Sequence, residues 1–207
     1  MRIAVLGSGT VGITLAQGFE KHGYQVAIGT KHPEKKIDWN GELTSFENAA
    51  QQADLLVLAV KGGVAADVVK AVAQQAAGKT VIDATNPIAD APPQKGVLKY
   101  FTTFDDSLME RLQRLAPKAH FVKAFNSVGA PFMVDPDLKG GPPTMFICGN
   151  SEQAKADTGA ILRKFGWEVE DMGGVEAARA IEPLCMLWCI PGFAKNEWSH
   201  AFKLLRK

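Results

Sequence analysis

The sequence lacks an excess of charge, a long apolar run and a paired set of cysteines, and each absence removes a class of protein. Lys and Arg number 23 against 22 Asp and Glu, a formal net charge of +1 in 207 residues. A balanced chain has no broad cationic surface with which to displace phosphate counterions, so nucleic acid is not an expected partner. No apolar stretch approaches the ~18 residues that cross a bilayer, and the run from Leu184 to Ile190 stops at Pro191. The N-terminal apolar residues Ile3 to Leu6 lead straight into a glycine motif, which predicts neither a leader peptide nor a membrane partner. The cysteines number three, and Cys185 and Cys189 sit four apart among Leu184, Met186, Leu187 and Trp188. Buried thiols in a reduced, cytoplasmic protein are expected, not a disulfide framework. His22, His32, His120 and His200 form no H-x-x-x-H pair and there is no C-x-x-C, so no metal site is expected.

What is present is an alternation of two periodicities. Arg2 to Leu6, Tyr24 to Ile28, Asp54 to Val60, Thr80 to Ala84 and His120 to Phe125 read as buried strands. Thr10 to His22, Thr44 to Gln51, Val64 to Ala77 and Ser107 to Leu115 read as helices, with Thr44 and Glu47 at capping-box spacing. Thr144 to Cys148, Glu152 to Phe165 and Trp167 to Glu170 add a strand–helix–strand unit. Asn86 to Thr103 and Asn126 to Pro143 are rich in proline and glycine and are expected to be loops; a loop as long as the second is more often functional than not. Alternation at this spacing implies an α/β, doubly wound, mainly parallel sheet of about eight strands. Residues 1–174 are expected to form this domain. Residues 175–207 are expected to form a helical extension, interrupted at Pro191-Gly192, that packs on the domain or on a dimer partner.

Gly7-Ser8-Gly9-Thr10-Val11-Gly12 is G-x-G-x-x-G between a strand and a helix, which makes the fold Rossmann-like. Gly7 permits the turn, Gly9 lets backbone approach a pyrophosphate, and Gly12 packs helix on strand, while the helix N-terminus offers N–H donors to phosphate. The second strand then ends in Gly29-Thr30-Lys31-His32-Pro33-Glu34-Lys35. An NAD site places a carboxylate at this tip for the ribose 2′-OH. Thr30, Lys31 and Lys35 instead suit a 2′-phosphate, so NADP(H) is the expected cofactor; the alternative is a solvated cationic loop.

Three further strand ends should meet at the nicotinamide: Val60-Lys61-Gly62-Gly63, Thr85-Asn86-Pro87 and Asn126-Ser127-Val128-Gly129-Ala130. Asn86 and Asn126 can bind an amide or sugar, or can simply serve turns. Lys61 reads as a strand-end charge rather than a catalytic cation. No histidine falls at these three tips, and no catalytic side chain is nominated. Oxidation of an alcohol needs a group to take the O–H proton. Hydride exchange between two ring cofactors needs mainly alignment and water exclusion.

With these residues in view, the chain resembles the NADPH-dependent oxidoreductases of coenzyme F420, a 5-deazaflavin, and the cytoplasmic domains of the STEAP metalloreductases. The resemblance is carried by the glycine loop, the Gly29-Thr30-Lys31 tip with Lys35, Val122 to Ala130, Ile147-Cys148-Gly149-Asn150 and Asp171-Met172-Gly173-Gly174. It implies direct hydride transfer and a homodimer. It also implies 2′-phosphate contacts at Thr30, Lys31 and Lys35, pyrophosphate contacts at Ser8, Gly9, Thr10 and Val11, and a nicotinamide–deazaflavin pocket at Asn126 to Ala130. Members best matched to deazaflavin carry a His-Thr-Ile-Pro-like segment where this chain has Asn126-Ser127-Val128-Gly129, closer to the metalloreductase branch. Coenzyme F420, a flavin (FMN or FAD) and a ferric chelate reduced through a flavin therefore stand as acceptors. A non-catalytic NADPH sensor or scaffold is the reading from another class. An imine or β-hydroxy-acid reductase ranks lower, because the resemblance to those enzymes requires a large helical second domain and only about thirty residues follow Gly174.

Overall fold

The computed structural model describes residues 1–207. Six strands form one parallel sheet: β1 (Arg2–Leu6), β2 (Gln25–Gly29), β3 (Glu42–Thr44), β4 (Leu55–Leu58), β5 (Thr80–Asp83) and β6 (His120–Lys123), in the order β3-β2-β1-β4-β5-β6. The apolar runs Ile-Ala-Val-Leu and Leu-Leu-Val-Leu suit strands covered on both faces by crossover helices. Ile3, Val5, Val57 and Ile82 face α1 (Thr10–Lys21) and α5 (Glu152–Lys164), meeting Leu15, Phe19, Ile161 and Leu162. On the opposite face, Ala4, Leu6, Leu56 and Leu58 meet α2 (Phe46–Gln52), α3 (Gly62–Val72) and α4 (Leu108–Leu115). β1 pairs with β2 on one side and β4 on the other, so the chain leaves β1 in one direction and returns on its far flank. That reversal opens a crevice beyond the carboxyl ends of β1 and β4, where such sheets bind ligands.

Several boundaries correct the sequence expectations. Eight strands form, but not one sheet: β7 (Thr144–Ile147) and β8 (Glu168–Asp171) pair with each other around α5 and join β6 only by an antiparallel bridge, Lys123↔Cys148. β3 is three residues long, too short for a periodicity to show. Thr44 ends β3, so it cannot cap α2. Ser45 does so, its Oγ accepting from the Asn48 N–H at 3.2 Å. α3 begins at Gly62, where an added Cβ would lie 2.0 Å from the Asn86 carbonyl oxygen, and it gives way to turns after Val72.

The C-terminal helix also differs. α6 (Ala178–Lys195) runs unbroken through Pro183 and Pro191. Pro191 deprives the Leu187 carbonyl of its helical donor, and Leu187 is exposed, so water can supply the bond. The stop comes at Asn196, left-handed at φ 58°, whose N–H donates to the Gly192 carbonyl at 2.9 Å. Residues 197–207 are not helical. They fold back along β7, with the Thr144 N–H donating to the Phe202 carbonyl at 2.9 Å. No helix is long and apolar enough to cross a membrane. Cys148 and Cys185 are buried, Cys189 is half-buried, and all three are free thiols.

Candidate active site

The glycine loop closes tightly beneath an open surface. Gly7 has φ +134°, and a Cβ there would lie 2.3 Å from the Ala59 carbonyl oxygen; a Cβ on Gly12 would lie 2.0 Å from the Gly7 carbonyl oxygen. Above Gly9 nothing lies within 4 Å of such an atom, so that face is free for a ligand. The helix starts around it follow a pattern. α2, α4 and α5 are capped by Ser45, Ser107 and Ser151. α1 and α3, which begin at the crevice, have no side-chain cap, and their first N–H groups are left for an anion. The groove between them holds about 550 Å³ and is lined by Gly7 to Val11, Ala59 to Lys61, Val64 and Ala84. An uncapped helix start, a glycine with open space above it and a groove of this shape fit a dinucleotide pyrophosphate.

At the tip of β2, the Thr30 hydroxyl lies 3.0 Å from the Ser8 hydroxyl, which joins the two loops. The Glu34 carboxylate is engaged by the His32 Nδ1 at 3.2 Å. Lys31 and Lys35 are exposed and form no ion pair, so the lip keeps its positive charge.

Beside the groove lies a second cleft of about 580 Å³, and Val60, Lys61, Val64 and Ala84 line both. Its far wall comes from the Asn86–Thr103 segment, which is a hairpin: Ile88 bridges Tyr100, and Gln94 exchanges both backbone bonds with Val97 around Lys95-Gly96, each at positive φ. Ile88, Ala89, Asp90 and Phe101 face the cleft, and its titratable side chains are the exposed Lys61 and Asp90.

Thr85 and Asn86 line this second cleft, whereas Asn126, Ser127, Val128, Gly129 and Ala130 line neither it nor the groove. Asn126, Ser127 and Val128 are buried behind Asn86. Asn86 Nδ2 donates to the Asn126 carbonyl at 2.8 Å, and Asn126 Nδ2 donates to the Ile181 carbonyl at 2.9 Å. An added Cβ on Gly129 would meet the Trp188 ring at 2.7 Å. Phe125, just before, is buried in the left-handed region at φ 62°, a strain of about 1–2 kcal/mol for a non-glycine residue.

Beneath these tips lies a charge cluster that sequence reasoning missed. The Lys123 ammonium is 2.7 Å from the Asp83 carboxylate and 3.0 Å from that of Glu182, and it donates to the Thr85 carbonyl at 2.9 Å. Asp83 Oδ1 accepts from the Thr85 N–H at 2.9 Å and its hydroxyl at 2.7 Å. Glu182 accepts from the Leu108 and Met109 N–H groups, each at 3.0 Å, at the start of α4. Burial works against the charge on Lys123, but the attraction of Asp83 and Glu182 outweighs it and raises the pKa. Two signals were in the sequence: charged ends on the apolar strands Val-Ile-Asp and Phe-Val-Lys, and a lone acid inside an apolar helix.

The parallel sheet, the glycine loop at its switch point and the cationic tip of β2 define a dinucleotide-binding domain of the Rossmann class. A family model described as NADP oxidoreductase, coenzyme F420-dependent, matches residues 2–87, the stretch from β1 to the tip of β5. A solved structure from Arthrobacter sp. FB24, described as a candidate F420-dependent NADP-reductase, is 33% identical and superposes with a TM-score of 0.92, with 100% of each chain covered. The F420-dependent NADP reductase of Methanothermobacter marburgensis is 27% identical over 205 residues, covering 90% of each chain. The metalloreductase STEAP3 of Rattus norvegicus is 28% identical over 197 residues, 92% of this chain but only 38% of that protein. The chain belongs to the F420-dependent NADP oxidoreductase family; it is an NADP-dependent oxidoreductase, and NADP(H) is its cofactor.

Proposed function

We propose that the chain transfers hydride directly between NADP(H), held along the glycine-loop groove, and a planar deazaflavin or flavin seated at the hairpin end of the cleft. The observation that carries this reading is the adjacency of the two clefts: an anion-suited groove shares Val60, Lys61, Val64 and Ala84 with a cleft walled by Ile88, Ala89 and Phe101. When bound, NADPH supplies the hydride. The chain's own part is to bind, align and exclude water, which suits a cleft whose walls carry no histidine. Ser8, Gly9, Thr10, Val11 and the start of α1 hold the pyrophosphate, with Gly7 and Gly12 shaping the turn. Thr30, Lys31 and Lys35 hold the 2′-phosphate. Val60, Lys61 and Asn86 line the nicotinamide end, and Asn126, Ser127, Val128, Gly129 and Ala130 back it. The name of the Methanothermobacter relative favours coenzyme F420 as acceptor. A second reading, ferric reduction through a flavin, is favoured by the likeness to STEAP3 and the Asn126-Ser127-Val128-Gly129 segment. Both readings place the reaction in the cytoplasm.

Mixing the protein with NADPH and, in turn, coenzyme F420, FMN, FAD and ferric citrate with flavin tests the proposal. Turnover with F420 supports it. Turnover only with flavin and iron transfers support to the second reading, and tight NADPH binding with no oxidation by any acceptor identifies a sensor.

Lys31→Ala with Lys35→Ala should weaken NADPH by about tenfold or more, the value of a charged hydrogen bond. NADH should change by less than about twofold, because it lacks the phosphate those groups meet. Equal losses for both nucleotides in titration calorimetry would remove these lysines from the 2′-phosphate site.

The same reading includes a homodimer. α6 exposes Leu187 at 55% and Phe193 at 45%, with Trp198 packed against Phe193 at 5.2 Å between ring centroids. An 18-residue helix apolar on most of its faces is expected to be covered. Sedimentation velocity should show a dimer that Leu187→Glu with Phe193→Glu converts to monomer; a wild-type monomer at micromolar concentration contradicts it.

A further inference from the structure

The buried ammonium of Lys123 lines neither cleft, and stability alone does not call for it. Lys123 and Asp83 are 0% exposed and Glu182 is 2% exposed. Burying such charges costs several kcal/mol per ion before their attraction is counted, and an apolar trio of similar volume commonly serves as well or better. The cluster's bonds show what it adds. Thr85 lies beyond the end of β5, where the ladder no longer fixes the backbone. Its N–H is bound by Asp83 Oδ1 and its carbonyl by Lys123 Nζ, both at 2.9 Å, so both main-chain groups are gripped from beneath by charged side chains. Charge-assisted bonds are shorter and roughly twice as strong as neutral ones. Asn86 is held from the other side through Asn126, which is tied to the Ile181 carbonyl, next to Glu182. Lys123, Asp83, Thr85, Asn86, Asn126 and Glu182 thus form a closed circuit that meets the cleft only at Thr85 and Asn86.

Resting on the assignment of this cleft to NADP(H), we propose that Lys123 and Asp83 are positioning residues that hold the Thr85–Asn86 tip in register with the nicotinamide end of the cofactor. The glycine loop and the 2′-phosphate lip stand on β1 and β2, outside the circuit, so loosening it separates the two ends of the site. Glu182 completes the device by anchoring the ammonium to α4 and α6.

The test compares NADPH with 2′-phospho-ADP-ribose, the same molecule without nicotinamide, by titration calorimetry on wild type, Asp83→Asn and Thr85→Val. Asp83→Asn alters the charge facing Lys123. Thr85→Val removes the hydroxyl link while leaving every charge paired, so it serves where the first variant fails to fold. The fragment should bind each folded variant within about twofold of wild type, while NADPH weakens about tenfold, the value of one such bond. Equal weakening of fragment and NADPH would show a general structural role and overturn the proposal, as would NADPH binding unchanged in Asp83→Asn or, where that variant does not fold, in Thr85→Val. A wild-type protein that binds neither molecule overturns the NADP(H) reading itself, and the proposal falls with it.

Discussion

One ion pair, Lys123 with Asp83, sets the relation between the sheet and the cleft above it. The two residues are ladder partners at the ends of β5 and β6, so their side chains meet as a consequence of register. A second carboxylate, Glu182, would leave an excess of negative charge in the interior. The start of α4 answers it, because Glu182 accepts two of that helix's first N–H groups and lies at the positive end of its dipole. Arg179, one turn earlier on α6, joins Glu110 of α4 at 2.6 Å, and their attraction holds the Glu110 carboxyl below its usual range. α6 is therefore fastened to the sheet by charge, while part of its apolar surface remains outward.

The distribution of helix caps follows from the same economy of donors. At α2, α4 and α5, a serine side chain accepts from one of the first N–H groups. At α1 and α3, which begin at the crevice, that side chain is missing and the first N–H groups are left toward the groove. The sheet end thus combines a fixed floor with uncapped helix starts, an arrangement suited to an anion. Phe125 adds a local cost: its left-handed backbone turns the chain directly after β6, where Asn126 then reaches back to Asn86 and Ile181.

Much of this was legible in the sequence because it is local. The glycine loop, the Thr30-Lys31 tip and the alternation of strands and helices each declare themselves within a dozen residues. β3 did not, being three residues long, and the division of the strands into six and two depends on where the Asn126–Pro143 segment carries the chain. Proline was a misleading signal in α6, since the carbonyl that Pro191 frees is on an exposed residue and water can satisfy it. The buried circuit was least legible. Asp83, Lys123 and Glu182 lie far apart in the chain, and only strand register and the course of α6 bring them together. A cation ending an apolar strand reads as a solvated charge until its partner is known.

The central claim is that Thr85, although past the end of its strand, is held as rigidly as the sheet. Amide hydrogen exchange followed residue by residue tests it directly. The account predicts that the Thr85 amide, donated to a buried carboxylate, exchanges as slowly as those of Val81 and Ile82 within β5. Exchange at the rate of the neighbouring hairpin loop would mean that the charge cluster does not fix the tip, and the account would fail.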